Sequence, residues 1–86
     1  MKLNPFAIMS EQFDGTGLIF DPNTNAALSV NKTGVYLWNR IKNGATEEEM
    51  TSGIVELYSG VTKEQASADV KAFLQELRNR SLLSED

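Results

Sequence analysis

Apolar positions follow two rhythms along this chain. Up to residue 30 they come in short runs separated by turn residues, and beyond residue 31 they recur at helical spacing. The first rhythm predicts strands and the second predicts helices. The short runs are Phe6-Ala7-Ile8-Met9, Leu18-Ile19-Phe20 and Ala26-Ala27-Leu28-Ser29-Val30. Asp14-Gly15-Thr16-Gly17 separates the first two, with glycines able to take positive φ. Asp21-Pro22-Asn23-Thr24-Asn25 separates the second from the third: proline fixes φ, and Asp and Asn side chains bond their own backbone. Three adjacent runs joined by two turns predict an antiparallel meander. In the third run, Leu28 and Val30 share one face, Ala27 and Ser29 the other.

Asn31 is a good N-cap, and the chain turns helical after it. Val35, Leu37, Trp38 and Ile41 supply an apolar stripe, and Gly44 stands where a helix ends. Thr46-Glu47-Glu48-Glu49 reads as a capping box, in which the threonine hydroxyl serves an orphan N–H and Glu49 reaches back. Met50, Ile54, Leu57 and Tyr58 follow at helical spacing up to Ser59-Gly60. Thr62-Lys63-Glu64-Gln65 is a second capping box, opening a helix over residues 63–80. Ala66, Val70, Phe73, Leu74 and Leu77 trace one face of it. Leu82 and Leu83 are expected to fold back on the core. The order is three strands, then three helices, with no internal repeat, low-complexity segment or linker.

Composition narrows the function. The chain has 86 residues, 41% of them apolar, which fits one small domain with a single core. It contains no cysteine and no histidine. That removes thiol nucleophiles, disulfides, the usual zinc ligands and the commonest general base together. Twelve acidic and eight basic residues give a net charge of −4, which argues against unspecific binding to nucleic acid. No apolar run approaches the ~20 residues of a membrane span, and the opening residues lead into no signal-peptide core, so a cytoplasmic protein is expected.

Few features offer chemistry. Glu47, Glu48 and Glu49 are read as first-turn charges that favour a helix dipole rather than as metal ligands, since no histidine or second carboxylate cluster accompanies them. The Asp14-to-Gly17 segment lacks the lysine and downstream helix of a phosphate-binding loop, so a hairpin turn is the better reading. Trp38 belongs to an apolar stripe and is expected in the core, whereas Tyr36 lies off that stripe. At ~100° per residue, Val70, Leu74 and Leu77 centre the buried face of the last helix. Ser67, Lys71 and Arg78 lie along one shoulder with Gln75 beyond; Asp69, Phe73, Glu76 and Arg80 lie along the other. Three helices with a small sheet also fit a winged helix-turn-helix that reads DNA. The candidate recognition helix mixes Glu64, Asp69 and Glu76 with its basic residues, and no basic stripe emerges.

The order of motifs resembles the PqqD family, small peptide chaperones of pyrroloquinoline quinone biosynthesis. These belong to a wider class of recognition elements for ribosomally made, post-translationally modified peptides. The resemblance is carried by residues 18–22 (Leu-Ile-Phe-Asp-Pro), Val30-Asn31 before the helix with Trp38, and residues 44–49 (Gly-Ala-Thr-Glu-Glu-Glu). Asp69-Val70, Phe73-Leu74, Leu77 and the terminal Arg80-Ser81-Leu82-Leu83 complete it. Two departures stand out: Val30 where the family usually has Leu, and Ser81 where it usually has Gly. The resemblance implies a leader peptide bound as an added strand beside the third strand, against the third helix. It also implies a radical S-adenosylmethionine enzyme as partner. Any iron–sulfur cluster would belong to that partner, since this chain has no cysteine to hold one.

These readings converge on a single α+β domain over residues 1–86, winged helix-turn-helix-like, with a three-stranded antiparallel sheet followed by three helices. The expected function is a non-catalytic module, without cofactor or metal, that captures the leader of a precursor peptide and presents it to a modifying enzyme. Ala26, Ala27, Leu28, Ser29 and Val30 are expected to pair with the peptide backbone. Ser67, Lys71, Gln75 and Arg78 are expected to form the helical wall, their carbon-rich stems covering apolar peptide side chains. A winged-helix DNA-binding or transcription-associated protein is the alternative, and a structural subunit of an enzyme complex a third reading. Monomer and homodimer both stay open.

Overall fold

The structure is a computed structural model that describes residues 2–84. Met1, which opens the segment read for a signal peptide, and positions 85 and 86 of the expected domain lie outside the described residues. The elements in chain order are β1 (Lys2–Leu3), β2 (Ile8–Glu11), β3 (Gly17–Phe20), β4 (Ala27–Val30), α1 (Lys32–Lys42), α2 (Glu47–Leu57), α3 (Lys63–Asn79) and β5 (Leu83–Ser84).

The expected meander is present as an antiparallel sheet in the order β2-β3-β4. Its first strand lies two residues later than the apolar run that announced it, at Ile8–Glu11. Asn4 explains the shift: its side-chain oxygen accepts the Phe6 N–H and its backbone oxygen accepts the Ala7 N–H, so the chain is still turning there. Two short strands were not expected from sequence. β1 pairs antiparallel with β5, Lys2 opposite Ser84 and Leu3 opposite Leu83. Leu82 and Leu83 do return to the core, where both are buried, and they do so by way of this ladder.

Each helix starts where its cap residue stands. The Asn31 side chain accepts the Gly34 N–H at 2.9 Å. Thr46 with Glu49, and Thr62 with Gln65, form reciprocal capping boxes. Such a cap contributes about 1 kcal/mol. Burying a Leu-sized side chain contributes about 2 kcal/mol, so the core dominates. It joins Ile19 of β3, Leu37, Trp38 and Ile41 of α1, Met50 and Ile54 of α2, and Ala66, Val70, Leu74 and Leu77 of α3. Tyr58 falls outside α2, as its C-cap residue in extended conformation, and its hydroxyl accepts from Thr33 at 3.2 Å.

Ser81 has φ +59°. This is the left-handed region, which glycine enters without steric cost. The turn that returns the chain from α3 to β5 therefore keeps the shape a glycine would favour. Its bonds run from the Ser81 N–H to the Arg78 carbonyl and from the Leu82 N–H to the Leu77 carbonyl.

Candidate functional site

β4 is an edge strand of the three-stranded sheet. Its register with β3 sets Ala27 opposite Phe20, Leu28 opposite Ile19, Ser29 opposite Leu18 and Val30 opposite Gly17. Just before the strand, the Asp21 N–H donates to the Ala26 carbonyl at 2.9 Å. In an antiparallel pair the backbone groups of alternate residues point to the same side. Ala26, Leu28 and Val30 therefore turn their N–H and C=O groups toward β3, while Ala27 and Ser29 turn theirs outward. Of the five residues expected to pair with a peptide, these two carry the outward backbone groups. Leu28 and Val30 contribute side chains instead, half-buried and buried respectively.

Beside this edge lies a hollow of about 500 Å³. Leu28, Ser29 and Val30 form one wall, and Asp69, Ala72, Phe73 and Glu76 of α3 form the other. Asn31, Thr33, Gly34 and Leu37 from the start of α1 supply the floor. Gly34 makes this floor possible. A β-carbon placed there would stand 2.6 Å from the Val30 β-carbon and 3.3 Å from the Phe73 ring. The glycine lets α1 begin directly beneath the strand it follows. A small residue at that point also keeps the hollow open between Val30 and Phe73.

None of the four side chains expected to form the helical wall, Ser67, Lys71, Gln75 and Arg78, lines the hollow beside β4. Ser67 and Lys71 line a different surface hollow, with Lys63, Glu64 and Ala68. Gln75 is exposed and donates to Asn79 on its own helix at 2.9 Å. Arg78 is half-buried and is likewise absent from the wall facing β4. The opposite shoulder, with Asp69, Phe73 and Glu76, faces the strand. Helical periodicity fixes which residues share a shoulder, but the path of the chain decides which shoulder meets the sheet. Phe73 was the available signal: a large aromatic residue flanking an already complete apolar stripe usually finds a partner surface.

The groove carries few charges. Arg80, at the C-cap of α3, pairs with Glu76 at 2.8 Å and donates to the Ala27 carbonyl at 2.7 Å. Asp69 and Glu76 leave the α3 wall acidic. Among the described residues no group of histidine, cysteine, aspartate and glutamate side chains could hold a metal. The shifted carboxylates serve the backbone elsewhere. Hydrogen bonds from Thr16, its side chain first, hold Asp14 below the usual range in the hairpin turn. The Thr46 N–H does the same for Glu49 in its capping box. Asp21 is buried, yet the Asn23 N–H holds its carboxyl low against the opposing effect of burial, with Asn4 assisting. Trp38 is in the core as expected, and Tyr36 lies against α2 at Gly53. No helix among the described residues is long and apolar enough to cross a membrane.

Two solved structures share this architecture. TbiB1 in complex with the TbiA(beta) leader peptide superposes with a TM-score of 0.88 at 23% identity, over 100% of this chain and 98% of that one. Lasso peptide synthetase B1 complexed with the leader peptide gives a TM-score of 0.79 at 18% identity, over 91% and 89%. At such identities the likeness is one of fold. No curated relative matches the sequence. The coenzyme PQQ synthesis protein D (PqqD) family matches residues 17–83, from the first residue of β3 to the first of β5. The chain accordingly belongs to the PqqD family.

Proposed function

We propose that this protein is a non-catalytic peptide-binding module. It captures the leader region of a ribosomally made precursor as an added strand on β4 and presents the precursor to a modifying enzyme. The observation that carries this reading is the outward-facing backbone of Ala27 and Ser29 beside a groove whose walls carry Leu28, Val30 and Phe73. Strand addition needs both parts: backbone groups supply affinity, and side-chain pockets supply selectivity. Leader peptides in the complexes of the two structural neighbours support the same reading. A lack of histidine and cysteine favours a binding role over a catalytic one. Family membership favours a radical S-adenosylmethionine enzyme as the partner, which would hold any iron–sulfur cluster itself. DNA binding is disfavoured by the acidic wall of the groove and the net charge of −4.

The test is an amide-shift titration with the N-terminal segment of a short precursor encoded beside this gene. Shifts should cluster at residues 27–30 and at Asp69, Ala72, Phe73 and Glu76. Ser29→Pro should abolish binding without unfolding the sheet, because it removes an outward donor rather than a ladder bond to β3. Lys71→Glu and Arg78→Glu should bind like the parent. Shifts mapping to residues 46–58, or an unimpaired Ser29→Pro, would overturn the assignment of the groove.

A further inference from the structure

The edge of β4 is already in use at one point. Its outward backbone groups belong to Ala27 and Ser29, and the Ala27 carbonyl accepts a 2.7 Å hydrogen bond from Nη1 of Arg80. The guanidinium is steadied from behind, where Nε donates to Glu76 at 2.8 Å. Arg80 thus reaches across the mouth of the groove, from the end of α3 to the start of β4. The bond joins positions 53 residues apart, so it is a tertiary contact between the two walls.

Resting on the peptide-binding reading above, we propose that Arg80 is a displaceable latch on the edge of β4. In the free protein its guanidinium stands in for a strand donor at Ala27; on binding, a peptide N–H takes over that carbonyl and the side chain swings clear. Two physical points support displacement over a permanent stop. With the Ala27 carbonyl occupied, only Ser29 would offer both its outward N–H and its carbonyl within β4, which is meagre for strand addition. The latch is also easily released, since the Arg80 and Glu76 side chains are 44% and 43% exposed and water can replace the contact. A charged side chain across an unpaired edge has a further use in the free protein, because it discourages pairing with stray strands.

The proposal predicts that removing the latch strengthens binding. A random peptide library presented by mRNA display is selected on the parent protein, and the recovered binder is the probe. Arg80→Met and Arg80→Lys should each bind it about three- to tenfold tighter, the scale of one net hydrogen bond. Lysine keeps the charge but replaces the two-nitrogen fork that reaches Glu76 and Ala27 by one ammonium on a shorter stem, which weakens the latch, so it carries the test should the methionine variant fold poorly. A crystal structure of the parent complex should show a peptide N–H on the Ala27 carbonyl and Arg80 turned away. A binder that leaves the guanidinium on Ala27, or variants that bind no tighter, overturns the latch and leaves peptide binding intact. A selection that recovers no binder overturns the peptide reading itself, and the latch with it.

Discussion

The hydroxyl of Tyr36 occupies the space that a side chain on Gly53 would fill. This contact seats α1 against α2, and it explains a glycine in the middle of a helix, where it costs about 1 kcal/mol relative to alanine. Gly53→Ala should therefore destabilise the fold by about 1–3 kcal/mol despite its better helix propensity. Combining it with Tyr36→Phe should recover part of that loss, because the hydroxyl is the atom in the way. A double-mutant cycle by urea unfolding measures the coupling; additive effects would mean that the two residues do not meet.

Asn4 ties together three distant parts of the chain. Its amide donates to Asp21 at 2.8 Å and to the Ser81 carbonyl at 3.2 Å, and its oxygen accepts from Phe6 at 2.9 Å. Asn4→Ala leaves the buried Asp21 carboxylate short of a donor and should cost about 1–3 kcal/mol. Thermal unfolding followed by circular dichroism checks this.

Ser81→Gly should stabilise the protein. A serine held at φ +59° pays a steric cost that glycine avoids. The gain should be about 0.5–1 kcal/mol, part of the relief being offset by glycine's greater freedom in the unfolded chain. An unchanged or lowered denaturation midpoint would show that the turn is not strained.

Acid should unfold the protein through three carboxylates. Asp14, Asp21 and Glu49 are each held below their ordinary values by hydrogen bonds. A depressed folded pKa means that the charged form favours the native state. The contribution is complete above the unfolded value, about pH 4, and is lost as pH falls through the lower folded values. With no histidine in the chain, side chains add no titration near neutrality. The melting temperature should stay level from about pH 7 to 5 and fall below about pH 4. Asp21→Asn should flatten part of the acid limb.

Replacing Gly34 probes fold and groove together. Gly34→Ala would set a methyl group against Val30 and toward Phe73. It should destabilise by about 1–3 kcal/mol and weaken peptide binding in the surviving folded fraction. Calorimetric titration of the folded variant separates the two effects.

Local signals made much of this fold legible in the sequence. Asn31, Thr46 and Thr62 mark the helix starts because each cap is settled within three residues. Alternation in β4 placed Leu28 and Val30 on one face for the same local reason. The parts that escaped depend on distant segments meeting. Nothing near Lys2 announces a partner at Ser84, and nothing in α3 says which shoulder will face β4. Ser67 and Asp69 look equally eligible until the return of the chain fixes the orientation of the helix. Gly34 passed unremarked in the sequence, and only its closeness to Val30 and Phe73 gives it meaning.

The ladder between β1 and β5 has a consequence for how the domain can be joined to others. Lys2 and Ser84 sit on neighbouring strands, ~5 Å apart as paired backbones must be. Both ends of the described chain therefore leave from one spot, on elements that take no part in lining the groove. A short loop could bridge them, and the chain could then be reopened at the Asp14–Gly15 turn. The same adjacency makes the unit transplantable: it can be spliced into a surface loop of a larger protein while the edge of β4 stays free.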